Sequence, residues 1–261
     1  MIRQLELIDN LVAEGRHQFT FEEAVHALNV SPPAAANALR RLRDKGLVDR
    51  LTKGVYAIRP LGSLGTSAVT DDMPFAVGAA FQGLDHRIAY ATALSEHGLL
   101  SHPVRTIYVA CTRQVRIEKV SRRPLQVVIE REKTIHLGAE QVGLSWRSTV
   151  ERALFESALR LDLVGGPEPL AEALANAAED VNPTRIHKLV TAFGARGRAA
   201  ERRLASLSHA LDLPLDLEPK LEPRRPIIQL DPSDDRHKWV DDRFRVGWNL
   251  DLDELRSVVG S

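Results

Sequence analysis

The sequence predicts an α+β protein of two domains, and three observations carry that prediction. The first 60 residues show helical apolar spacing interrupted by turn residues and close in a short hairpin. Two β-branched runs follow near residues 106–130, and from Ser148 onward the apolar spacing is helical again. At 261 residues the chain exceeds one small module, since a typical domain holds about 100 to 200 residues. The expected division is a helical module with a hairpin at 1–62 and a larger mixed α/β domain at 75–261. That second domain should hold a small sheet, a helical segment and an acidic extension from about residue 212.

In the first element Ile2, Leu5, Ile8, Leu11 and Val12 recur at three- and four-residue spacing, which places them on one face of a helix that Gly15 ends. Thr20-Phe21-Glu22-Glu23 is a capping box that starts a second helix running to about Leu28. Asn29-Val30 makes the turn. Ser31 can cap a third helix, with Pro32 and Pro33 in its first turn, where a missing amide donor costs nothing. Ala36, Leu39 and Leu42 should face the core, which directs Ala34, Asn37 and Arg41 outward with Arg40 and Lys45 beside them. Gly46 stops this helix. Leu47–Leu51 and Val55–Ile58 then read as two strands joined at Thr52-Lys53-Gly54.

Three helices closed by a hairpin are the outline of a winged helix-turn-helix. The outward face of the third helix runs from small residue to amide to guanidinium, as major-groove readout requires: a close approach at Ala34, bidentate pairing with adenine by Asn37, and pairing with guanine or phosphate by Arg41. The predicted DNA-contacting residues are Ser31, Ala34, Asn37, Arg40, Arg41 and Lys45 on the recognition helix and Arg50, Thr52, Lys53 and Gly54 on the wing.

Charge is patchy although the formal net charge is zero. From Ser31 to Arg59 seven basic residues stand against two acidic ones, a net of +5, and from Ser101 to Ile135 eight stand against three, again +5. Such patches, more than net charge, decide where a polyanion docks. A rival reading keeps the same fold for protein contacts alone, with Arg40, Arg41 and Arg43 as a solvated face, because fold does not dictate function.

After a Gly-, Ser- and Pro-rich linker at Pro60–Pro74, with a boundary near Ser63, helices are expected at Phe75–Phe81 and Ile88–His97. Strands should follow at Thr106–Cys111 and Leu125–Glu130 about the basic turn Arg116–Arg123. Helices are then expected from Ser148, at Leu170–Ala178 and at Pro183–Phe193. A further helix should run from the break Gly194–Arg198 to Leu211, and a strand should lie at Pro226–Leu230.

The composition, 44% hydrophobic and 27% charged, is that of a soluble globular protein, and no apolar run nears the roughly 20 residues of a bilayer-crossing helix. The N-terminal residues lack a secretory layout and the single cysteine, Cys111, cannot form an internal disulfide, so a reducing cytoplasm is expected. No phosphate-cradling Gly-rich loop, nucleophile elbow or His-Glu-x-x-His helix is present, so neither enzyme activity nor a cofactor is expected. His97, His102 and Cys111 could in principle form a metal or thiol site, but scattered ligands of this kind are more often structural. Glu151 and Glu156, five apart on one helix, do not share a face and are expected in solvent or capping a neighbour.

The order of parts resembles the AbiEi-type antitoxins of bacterial abortive-infection systems. The likeness runs over roughly residues 1–210, through Lys53-Gly54-Val55-Tyr56, Ala89–Leu99 with its Ala-Leu-x-x-His-Gly-Leu ending, Ile107-Tyr108-Val109-Ala110 and Ser148–Leu154. The chain departs from the family's pattern around the Glu151-Arg152 pair, where it has Ser148 and Phe155-Glu156. The resemblance implies repression of a shared operon through inverted repeats in its promoter. It also implies a cognate nucleotidyltransferase-like toxin as partner, with direct contact left open, and assigns antitoxicity to the second domain.

Overall fold

The computed structural model describes residues 2–16, 18–58, 73–121, 123–221 and 225–259. The elements begin with α1 (Ile2–Ala13), β1 (Gln18–Thr20), α2 (Phe21–Leu28), α3 (Pro32–Asp44), β2 (Val48–Thr52), β3 (Val55–Ile58) and α4 (Met73–Ala80). They continue with β4 (His86–Ile88), α5 (Tyr90–Glu96), β5 (Ile107–Cys111), β6 (Lys119–Val120), β7 (Arg123–Ile129), α6 (Glu132–Ile135), β8 (Ala139–Val142) and β9 (Ser145–Ser148). The last are α7 (Val150–Leu159), α8 (Pro167–Ala177), α9 (Pro183–Ala210), β10 (Ile228–Gln229), β11 (Trp239–Asp241), β12 (Val246–Trp248) and α10 (Leu252–Val259). The linker expected at Pro60–Pro74 lies almost entirely outside the described residues.

Two compact units result. The first is Met1–Leu84 with Val115–Leu125 and Gln141–Ser145; the second is Asp85–Gln114 with Gln126–Glu140 and Trp146–Ser261. In the first, Leu7, Leu11, Phe19, Ala24, Leu28, Leu39, Leu42, Val48 and Ile58 form one core beneath a three-stranded antiparallel sheet ordered β1-β3-β2. Strand β1 is an addition to the predicted elements. Three residues are too few for a readable period, and their burial comes from β3, where Phe19 is registered opposite Tyr56 with rings stacked 5.7 Å apart. Helix α4, which the expected boundaries assign to the C-terminal domain, falls in this unit and packs on β2, β3 and β6.

The second unit is built on strands β7, β5, β4, β9 and β8 in that order, with β4 antiparallel to β5 and parallel to β9. Its centre is α7, buried from Glu151 through Ala158 and packed by α5, α8 and α9. Helix α9 bends at Gly194, where φ 59° and ψ −127° break the helical path inside a 28-residue span. A small sheet, β10-β12-β11, follows, with Trp239 stacked 4.8 Å from Trp248.

Two helical expectations are corrected here. Ile88 ends a strand instead of opening a helix: His86, Arg87 and Ile88 pair with Cys111, Ala110 and Val109, and α5 starts only at Tyr90. The Leu170–Ala178 helix starts earlier, at Pro167, after Gly165 and Gly166 with φ 95° and 115°.

Candidate nucleic-acid interface

The helix-turn-helix is assembled by local chemistry. The Thr20 hydroxyl accepts from the Glu23 amide at 3.1 Å while the Glu23 carboxylate accepts from the Thr20 amide at 2.7 Å, closing the capping box. Burial pushes the Glu23 carboxyl up, but the Thr20 amide and the Arg16 guanidinium outweigh it and hold the group below its ordinary value. The turn follows at Asn29, whose φ of 49° lies in the left-handed region that asparagine tolerates better than most residues. Helix α3 ends with Gly46 at φ 69°: its amide donates to Arg43 O and that of Leu47 to Leu42 O, both at 2.9 Å.

Ala35, Ala38, Leu39 and Leu42 form the buried face of α3. Ala36 is a correction, exposed where the sequence reading turned it inward; the inward stripe is shifted by one residue and centred between Ala38 and Leu39. Ala34, Asn37, Arg40, Arg41 and Lys45 are all exposed, as is Arg43. Ser31 is exposed and in extended conformation, but its side chain makes no capping hydrogen bond, a departure from the expected cap.

The wing is held from below. Gly54, at φ 83°, accepts from the Phe21 amide at 2.7 Å, tying the hairpin tip to the start of α2. The register shifts between Arg50 and Thr52, a bulge that adds twist next to the tip. Arg50 and Lys53 are exposed, while the side chain of Thr52 lies outside the described residues. An exposed row from Asn37 to Arg41 and a cationic hairpin tip thus belong to one small unit with a single core. Residues 6–59 match the AbiEi antitoxin family of transcriptional regulators.

That match covers the helix-turn-helix and wing and ends one residue after β3, and the AbiEi family is one of regulators, not enzymes. Over nearly its whole length the chain shares its fold with the crystal structure of the RV2827C protein from Mycobacterium tuberculosis. The TM-score is 0.66 and the identity 19%, over 97% of this chain and 93% of that one. No curated protein matches the chain.

Outside the AbiEi-like module the structure assembles a charged cluster that the sequence reading missed. Arg87 donates from Nε to Ser148 Oγ at 2.8 Å and from Nη2 to Glu130 at 2.9 Å and Glu156 at 2.7 Å, and Nη1 donates to the Ile135 carbonyl. Arg152 joins the same two carboxylates at 2.7 and 3.0 Å and lies over the Phe193 ring at 4.6 Å. Glu156 also accepts from Ser148 Oγ at 2.7 Å and from the Tyr90 amide at 2.8 Å, holding Tyr90 at a φ of 53°.

The solvent expectation for Glu151 and Glu156 is corrected, since both are buried, Glu151 accepting from Arg185 at 3.2 Å and Glu156 within this cluster; the alternative, that one caps a neighbour, holds for Glu156, which accepts from the first amide of α5. Burial drives the Glu156 carboxyl up, yet Arg87 and Arg152 outweigh it and hold the group below its usual value. The Tyr90 phenol is pushed far up, by burial first. Cys111 is fully buried, His97 is bound to the Ser148 carbonyl at 2.8 Å, and His102 pairs with Ser101 at 2.9 Å. Among the described residues no three His, Cys, Asp or Glu groups gather as metal ligands, and no helix is long and apolar enough to cross a membrane.

Proposed function

We propose that this chain is a DNA-binding antitoxin that represses its own operon by seating α3 in the major groove. The observation that carries the reading is the outward presentation of Ala34, Asn37, Arg40 and Arg41 on a helix whose opposite face is core. Ser31 and Lys45 flank that row, and Arg50, Thr52, Lys53 and Gly54 form the wing against the adjoining backbone. The match at 6–59 to a family of antitoxin transcriptional regulators supports the same reading. In this reading residues 1–62 form the reader and 75–261 the antitoxin domain. One module covers one half-site, so an inverted repeat takes two copies. The partner to be neutralised is a nucleotidyltransferase-like toxin, as the AbiEi resemblance implies.

The test is a gel-shift titration on a duplex taken from upstream of the chain's own gene. The parent chain should shift that duplex in preference to a scrambled one, and Arg41→Ala should erase most of the preference, by about 1–3 kcal/mol for a base-reading pair. Equal binding of parent and variant to both duplexes defeats the assignment of α3. If the chain instead captures the toxin and has no affinity for any duplex, it is the purely protein-binding module of the rival reading.

A further inference from the structure

The first unit contains a second cationic element that lies far from the helix-turn-helix in sequence. Residues Val115–Leu125 belong to it, and their hairpin is formed by β6 and the start of β7, with Val120 opposite Arg123 and the Leu125 amide donating to Glu118 O at 2.8 Å. Ser121, at φ 49°, makes the turn. The segment carries Arg116, Lys119, Arg122 and Arg123 against the single acid Glu118.

Its seating is specific. Val120 is fully buried while its neighbour Lys119 is exposed, the alternation of a strand with one covered face. The cover is α4, which packs on β6 and also on both strands of the wing, β2 and β3. The Arg123 guanidinium reaches the Met73 sulfur of that helix at 3.8 Å. Helix α4 comes so close to the Leu144 backbone at Gly78 that a Cβ there would fall 2.4 Å from it. The hairpin is thus joined to the wing through one buried helix, a step of about 10 Å, and about 10 Å of duplex axis carries about six phosphate charges.

We propose that this hairpin is a third DNA-contacting element, in which Arg116 and Lys119 neutralise backbone phosphates beside those met by the wing. It rests on the DNA-binding reading above and adds to it a sequence-independent grip located outside the residues that match the AbiEi family. Both side chains are exposed and lie outside the core, so their replacement leaves folding intact.

The experiment compares the parent chain, R116Q/K119Q and R116K in titrations of the upstream duplex and of a mixed-sequence duplex over a series of salt concentrations. R116Q/K119Q should bind both duplexes roughly tenfold more weakly, and its slope of log affinity against log salt should be shallower by about 2, at about 0.9 per phosphate contact. R116K should keep the parent slope, since a phosphate contact asks for charge and not for a fork. If the parent binds duplex and R116Q/K119Q binds with the same affinity and slope, the hairpin assignment is overturned while that of α3 stands. If the parent binds no duplex, both fall together. A loss confined to the upstream duplex also overturns the proposal, because it would mean base readout instead of phosphate contact.

Discussion

In the winged-helix unit the cationic side chains of α3 and the wing stand in solvent, whereas in the second unit Arg87 and Arg152 are at most 1% exposed and closed against Glu130 and Glu156. The difference is in what each unit leaves for a partner. An exposed guanidinium remains hydrated and can exchange water for phosphate at little cost, while a buried one must be matched inside the fold or it destabilises it. The second unit uses its charges to orient α7, β4 and the start of α5, with Arg87 set against Glu130 and Glu156 across chain separations of 43 and 69 residues and Arg152 closing on the same two glutamates. The first unit presents the cations of α3 and the wing tip on an exposed face and builds its hydrophobic core from aliphatic and aromatic side chains, with Asp49 on β2 as a buried acid.

The largest effect that would sharpen this contrast is expected at Glu156. Glu156→Gln leaves Arg87 and Arg152 short of a carboxylate in a sealed site and should lower stability by about 3–5 kcal/mol, read as a lower urea midpoint. Glu130→Gln should cost less, because that carboxylate is 10% exposed and can be hydrated. The acid dependence follows from the same pair. The folded Glu156 carboxyl lies below its unfolded value, so its stabilisation is complete above the unfolded carboxylate range and is lost as pH falls through the lower folded value. Urea midpoints measured down the acid range should fall for the parent chain and fall less for Glu156→Gln; parallel curves would contradict the assigned role.

A smaller effect is expected at the wing. A Cβ at Gly54 would meet open space, so Gly54→Val acts through the positive φ alone and should cost about 1–3 kcal/mol in the first unit while loosening the tip. Its signature is weaker duplex binding with no shift in the unfolding of the second unit. The smallest is Lys53→Ala, which should lower affinity for every sequence alike and reduce the salt slope by about 0.9, with stability unchanged within about 0.5 kcal/mol. A Lys53→Ala variant that lost preference for one sequence would instead assign this residue to base readout.

Legibility divides along the same line. The capping box at Thr20 and Glu23, the glycine stops at Gly15 and Gly46, the wing tip and the exposure of Asn37 and Arg41 could all be read from the chain, because each is set by residues within one or two helical turns. The inward turn assigned to Ala36 failed because in an alanine-rich segment of α3 apolarity does not distinguish the two faces; Leu39 and Leu42 anchor the helix and Ala35 and Ala38 complete the stripe. Glu156 looked like a surface acid because nothing near it in sequence shows the two arginines and the Tyr90 amide that receive it.

The sequence by itself determined the local units here: where helices start and stop, where the wing turns and which cations α3 presents, since hydrogen bonds and periods of three or four residues set them. Tertiary structure alone decided that Arg87 and Glu156 would meet, that β1 would join the wing sheet, and that the hairpin at 115–125 would share a unit with the helix-turn-helix. Each of these is a pairing between distant segments, and its energy exists only once desolvation and packing have brought both partners together.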